Sequence, residues 1–139
     1  MLSKKTKYGL KALSYLAKQE KHVPVLISEI SESENISKKF LESILLTLKK
    51  SGILASKKGK GGGYYLLKEP KDIKISSIIR MLEGPIAMLP CVSLNYYQKC
   101  DDCHSEERCS LNILMAEVRD STLKILENKT LENFHCGDE

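Results

Sequence analysis

The chain has 139 residues, 42% apolar and 29% charged, with net charge +4, which bounds one domain with a real core or a small domain with an appendage. No run approaches the roughly 20 apolar residues of a membrane span, and MLSKKTKYGL has lysines without an apolar signal core, so a cytoplasmic protein with no membrane partner is expected. Residues 1–70 carry 14 lysines and 6 acids (+8) while residues 71–139 carry 8 basic and 12 acidic residues (−4), a split that suits a basic half facing nucleic acid.

Residues 3–19 read as an amphipathic helix. Tyr8, Leu13, Leu16 and Ala17 can face a core, with Leu10 and Ala12 beside them. Lys4, Lys5, Lys7 and Lys11 lie on or near the polar side; singly they serve solubility, and as a group they can rest on phosphates. Pro24 then breaks the chain. A short helix over 27–33 uses Ile27 and Ile30 as core contacts, and Glu34–Ile36 makes a turn.

The next stretch, 36–67, organises the chain. Leu41, Ile44, Leu45 and Leu48 fall at i, i+3, i+4 and i+7, on one helical face. Ser37 can cap the start, Ile36 and Leu41 can form a hydrophobic staple, and Gly52 stops the helix after Lys49 and Lys50. The opposite face starts Lys38, Lys39, Glu42, Ser43. Two apolar runs follow, Ile53–Ala55 and Tyr64–Leu67, around the polar segment SKKGKGGG, which predicts a β-hairpin with a basic tip. Residues 49–60 hold five lysines and no acid. Helix plus basic hairpin is the layout of a winged helix-turn-helix, whose helix enters the major groove while the wing follows the backbone. The blander alternative is a solvated lysine-rich loop beside an ordinary core helix.

Pro70 ends the wing strand, and ISSIIRMLE (75–83) predicts a further helix closed by Gly84-Pro85. Residues 86–105 have no clear period and read as a loop held by something other than packing. A long helix is predicted over 106–127, where Leu111, Leu114, Val118, Ser121 and Ile125 alternate three and four apart, with Met115, Thr122 and Leu126 alongside. That stripe suggests packing against the same helix of a second subunit, a homodimer, the alternative being its own core. A tail, Thr130–Glu139, follows, with Cys136 as a free thiol; His22 and His135 read as surface residues. The fold class is mainly α with a small β-wing: a winged helix-turn-helix DNA-binding domain (1–84), a cysteine-rich loop (85–105), and a long C-terminal dimerisation helix with its tail (106–139).

Cysteines stand at 91, 100, 103, 109 and 136, the first four within 19 residues. Such a cluster in a cytosolic chain means metal or redox chemistry more often than structural disulfides. The spacing C-x8-C-x2-C-x5-C can hold tetrahedral zinc, with His104 a plausible ligand among the thiols. It also suits a metal-free thiol switch, or no chemical role at all. No Ser/His/Asp or carboxylate constellation is visible, so no enzyme is expected.

Five pieces in order carry a resemblance: KYGLKALSYLA, ISKKFLESILLTLKKSGIL, KKGKGGGYYL with its G-x-GGGY motif, ISSIIRMLEG, and the cysteine loop before a long helix. On these the chain resembles the winged-helix regulators of the Rrf-two family over nearly its whole length. The resemblance implies a homodimeric transcription factor, usually a repressor, on a near-palindromic double-stranded DNA operator. It implies that the base-reading helix starts with Ser37, Lys38, Lys39, Glu42 and Ser43. Glu42 matches an acidic reader of the iron–sulfur branch, and a carboxylate can accept from cytosine N4. Lys57, Lys58, Lys60 and Gly61 match wing positions that follow the backbone and minor groove. In cluster-binding branches three loop cysteines hold an iron–sulfur cluster, the last two separated by five residues. Cys91, Cys103 and Cys109 match them, thiolates being the expected ligands. The family's fourth-ligand positions are filled here by Asn112 or Lys7, which leaves Cys100 or His104 as fourth ligand, or ligation incomplete. The resulting expectation is a regulator whose cysteine loop senses iron–sulfur or redox status. The alternative is a zinc-binding interaction protein whose basic half contacts RNA or an acidic protein partner.

Overall fold

The computed structural model describes residues 2–134. Cys136 and His135 lie outside the described residues. Helix α1 (Lys4–Ala17) starts at Ser3, whose hydroxyl accepts from the Thr6 amide, and buries Leu10, Ala12, Leu13 and Leu16. Helix α2 (Ile27–Glu34) ends at Asn35, which takes left-handed backbone (φ 54°). The turn is closed twice, by Ile36 N–H on the Ser31 carbonyl (3.1 Å) and Ser31 Oγ–H on the Ile36 carbonyl (2.6 Å).

Helix α3 (Lys38–Lys50) begins as expected: Ser37 Oγ accepts from the Phe40 amide at 3.2 Å. Leu41, Ile44, Leu45 and Leu48 are fully buried. Strands β1 (Leu54–Lys57) and β2 (Gly63–Leu66) pair antiparallel, Leu54 opposite Leu66 and Lys57 opposite Gly63. The ladder reaches closer to the basic tip than the apolar runs suggest, because backbone pairing needs no apolar side chain. Val25 and Tyr64 exchange amide–carbonyl bonds of 2.8 Å in both directions, tying the wing to the α1–α2 connection. Gly63 permits this approach: its backbone is at φ 144°, and a Cβ there would sit 2.3 Å from the Val25 carbonyl oxygen.

Helix α4 (Ile75–Leu82) crosses α1 closely, since a Cβ on Gly9 would lie 2.3 Å from Leu82 Cδ1. Glu83, at its end, accepts from the Ser3 amide and the Thr6 hydroxyl. These bonds hold its carboxyl below the usual range, the Ser3 amide contributing most.

Residues 86–109 contain single 3-10 turns at Pro90–Val92 and Glu106–Arg108. Part of the loop is held by packing after all: Val92 and Ser93 are buried, and Arg119 donates to the Val92 carbonyl at 2.9 Å. Helix α5 (Ser110–Glu127) starts later than expected, because residues 106–108 are in the 3-10 turn and Cys109 takes the cap position.

The beginning of the tail is ordered. Leu131 N–H donates to the Ile73 carbonyl (2.9 Å) and Ile75 N–H to the Lys129 carbonyl (3.0 Å). Leu131 is 1% exposed within the core cluster, and Phe134 packs against it. A single leucine in a polar run has no period to announce it. Leu131→Ala should therefore cost about 2–5 kcal/mol of stability, as for other fully buried leucines. Urea unfolding followed by circular dichroism measures this, and a loss under about 1 kcal/mol would place the tail outside the core.

Candidate nucleic-acid interface and cysteine cavity

The buried face of α3 fixes its rotation, so the opposite face projects outward. Ser37, Lys38, Lys39, Glu42 and Ser43 are all exposed there. Lys57, Lys58, Lys60 and Gly61 are exposed at the wing tip. Two contacts beside this surface have no sequence signal. Tyr8 and Phe40 meet edge to face at 5.7 Å, joining α1 to the first turn of α3, with Phe40 39% exposed. Lys11 Nζ lies 6.0 Å from the Tyr8 ring centre and donates to the Glu34 carbonyl (3.3 Å). Phe40 falls off the buried stripe and is not polar, so periodicity gives it no role.

A cavity of about 880 Å³ opens between the loop and the start of α5. Cys91, Cys100, Cys103, His104 and Cys109 all line it, so every sequence-predicted ligand faces one space. Lys7 is not among the lining residues; Asn112 is. These four cysteines are free thiols. Among the described residues, no three His, Cys, Asp or Glu side chains converge closely enough to hold one metal ion. Sulfur donors spread around a space of this size fit an iron–sulfur group in kind. An iron–sulfur group and tetrahedral zinc alike would require them to draw together.

Local bonds set the sulfurs of Cys91, Cys100 and Cys109. Cys109 Sγ caps α5 by accepting from the Asn112 amide at 3.4 Å. Asn112 Nδ2–H donates to Cys91 Sγ at 3.3 Å. Cys100 is exposed, and its thiol donates to Asp102 Oδ1 at 2.7 Å. That bond pushes the Cys100 thiol above its ordinary range and lowers the Asp102 carboxyl.

Helix α5 leaves its own apolar side uncovered. Leu111, Leu114 and Ile125 of the predicted stripe are at least half exposed, as is Ile113, while Leu123 is buried. A second cavity of about 340 Å³ flanks this helix, lined by Leu2, Ile79, Ile86, Met88, Val118 and Leu126 among others. Among the described residues, no helix is long and apolar enough to cross a membrane.

Over residues 2–136 the sequence matches the model of the Rrf2 family, described as iron-dependent transcriptional regulators. An rrf2-like HTH-type transcriptional regulator of Rhodobacter capsulatus is 46% identical over 137 residues, 96% of this chain and 91% of that protein. The structure of CymR, the global cysteine regulator of B. subtilis, superposes with a TM-score of 0.77 at 32% identity, covering 96% of this chain and 94% of that one. IscR of T. potens superposes with a TM-score of 0.74 at 32% identity, covering 96% and 84%.

Within the segment between α4 and α5, the Tyr97 hydroxyl donates to Glu106 Oε1. That bond is the main reason its pKa is pushed up to about 12, with desolvation and the negative charge of Glu106 adding to it. The ionised phenolate loses the bond and meets the carboxylate, so the proton is held to higher pH. Ultraviolet titration of the wild type minus Tyr97→Phe should show one tyrosine ionising near pH 12. Glu106→Gln should bring it back toward the ordinary value of about 10. A difference curve centred at the ordinary value in the wild type would show that the bond does not form.

Proposed function

This chain belongs to the Rrf2 family of transcriptional regulators, the Rrf-two proteins its motifs resemble, and from that premise we propose a homodimeric, operator-binding repressor whose cysteine loop reports iron–sulfur status. Regulators of this family bind DNA. One observation carries the regulatory half of the reading. Helix α5 walls the thiol cavity at one end and returns at Lys129–Leu131 onto α4 and the core beneath α3 at the other. A change in the loop is thereby connected to the DNA-reading surface by one rigid element.

In this reading α3 enters the major groove. Ser37, Lys38, Lys39 and Ser43 reach phosphates and base edges, and Glu42 accepts from an exposed base amine such as cytosine N4. Lys57, Lys58 and Lys60 neutralise phosphates along the wing, and Gly61 leaves room for close backbone approach. The uncovered face of α5 meets the same face of a second copy, which sets two α3 helices about 34–36 Å apart for successive half-sites. Work at an operator places the protein in the cytoplasm.

Cys91, Cys103 and Cys109 would hold the cluster, with Cys100 or His104 as fourth ligand. When bound, that group supplies a redox- and iron-sensitive centre that needs thiolates around it. The chain's part is to close residues 86–109 over the cavity and so fix the Cys109 cap at the start of α5 and the Arg119–Val92 tie at its middle. A metal-free thiol response of the same loop is the second reading, favoured by its four free thiols around one cavity.

Anaerobic purification followed by absorbance spectroscopy and iron, zinc and sulfide analysis tests the reading. Iron with sulfide is expected, its thiolate absorbance lost in each of Cys91→Ala, Cys103→Ala and Cys109→Ala. Stoichiometric zinc without sulfide would replace the cluster with a structural ion. Tighter binding to RNA than to duplex DNA would favour a zinc-binding interaction protein instead.

Changing Lys57, Lys58 and Lys60 to Ala together should weaken binding to every DNA sequence and lower the log–log salt slope by about 0.9 per lost contact. An unchanged slope puts the wing off the DNA. Glu42→Ala should cost roughly 1–3 kcal/mol on the cognate operator and much less on random DNA. Equal losses on both would mean that Glu42 positions or stabilises rather than reads.

A further inference from the structure

Asn112 stands where the resemblance would put an imidazole ligand, yet a neutral carboxamide is a poor iron ligand. Its contacts point to another role. Its side-chain N–H donates to Cys91 Sγ (3.3 Å), and its backbone N–H donates to Cys109 Sγ (3.4 Å). These two sulfurs come from opposite ends of the loop, 18 residues apart, and one residue on the first turn of α5 serves both. Asn112 is half-buried at the cavity wall, whereas the exposed Cys100 thiol is turned to Asp102.

On the cluster reading above, we propose that Asn112 is a positioning residue: it hydrogen-bonds two sulfur ligands of the iron–sulfur site and sets its reduction potential without binding iron. Hydrogen bonds to ligand sulfur are one of the terms that fix such potentials. They stabilise the more negative, reduced state more than the oxidised one, so they raise the potential. A carboxamide also has no proton to gain or lose across the physiological range, unlike an imidazole. The potential of this site should therefore not vary with pH through residue 112.

The test uses the full chain, reconstituted anaerobically with iron and sulfide, as wild type and Asn112→Ala. The variant should keep wild-type iron and sulfide content. Its redox equilibrium should shift about tenfold toward the oxidised state, which is about 59 mV lower for one electron. A metal-free arm stands beside it. In the apo chain the Asn112 side-chain amide resonance should move on Cys91→Ala, while those of the other asparagines stay in place.

Full cluster content with an unchanged potential overturns the inference. Loss of iron in Asn112→Ala overturns it too, because Asn112 would then be a ligand or an assembly residue. An Asn112 resonance indifferent to Cys91→Ala shows that the contact is absent. A wild type that takes up neither iron nor sulfide defeats the cluster reading itself, and the tuning role falls with it. The apo resonances then tell whether the amide–sulfur contact exists on its own account.

Discussion

Everything at the proposed DNA-facing surface depends on the rotation of α3 about its own axis, and four buried side chains set that rotation. Leu41, Ile44, Leu45 and Leu48 are removed from solvent, each contributing roughly 1.5–3 kcal/mol by burial. A polar contact on the outer face contributes roughly 0.5–1.5 kcal/mol at best. Packing therefore decides the orientation, and the exposed residues of α3 take what is left. A slip of one residue would rotate the helix by about 100° and carry Glu42 off the exposed face. The Ser37 cap fixes where the helix starts, and the Tyr8–Phe40 contact braces its first turn.

The wing is held by backbone pairing as well as by the core, in which Leu54 is buried and against which Tyr64 and Leu66 pack. Its two strands are short and only partly buried, and a two-stranded hairpin alone is marginal in water. The Val25–Tyr64 exchange adds what amounts to a third strand position, and Gly63 makes room for it. The lysines at the tip can thus be numerous and mutually repulsive without unfolding the hairpin, because the restraint lies at its base.

Periodicity made the helices legible, since α1, α3 and α4 each bury a stripe that alternates three and four apart. Ser37, Gly52 and Gly84 marked ends through local backbone chemistry that acts over a few residues. The exposed lysines and Glu42 followed from the buried stripe by subtraction. What the sequence could not show was anything depending on two distant segments meeting. Leu131 in the core, the amide of Asn112 on Cys91, and Arg119 on the Val92 carbonyl are contacts without local pattern. The late start of α5 was hidden for a related reason: Glu106–Arg108 continue the helical composition, but the chain takes a tighter turn there and hands the cap to a cysteine. The spacing of the thiols pointed to a shared site, and they do line one cavity. Which of Cys100 and His104 would complete the proposed ligand set is a matter of loop closure, which spacing does not encode.

The return of the chain at Thr130 has an evolutionary consequence. The polypeptide leaves the core after α4 and comes back beside its first residue, where Ile75 bonds to Lys129. Exit and re-entry are thus separated by about the length of an eight-residue helix, roughly 12 Å. Everything between them is an excursion that leaves and rejoins the framework at two nearby points and packs Ile86 and Leu126 back onto the core. Such a cassette can gain, lose or exchange chemistry at its far end while the packing that couples it to the core is kept. One DNA-binding head could thus serve lineages that respond to different signals, with selection acting on the excursion and purifying pressure on its two anchor points.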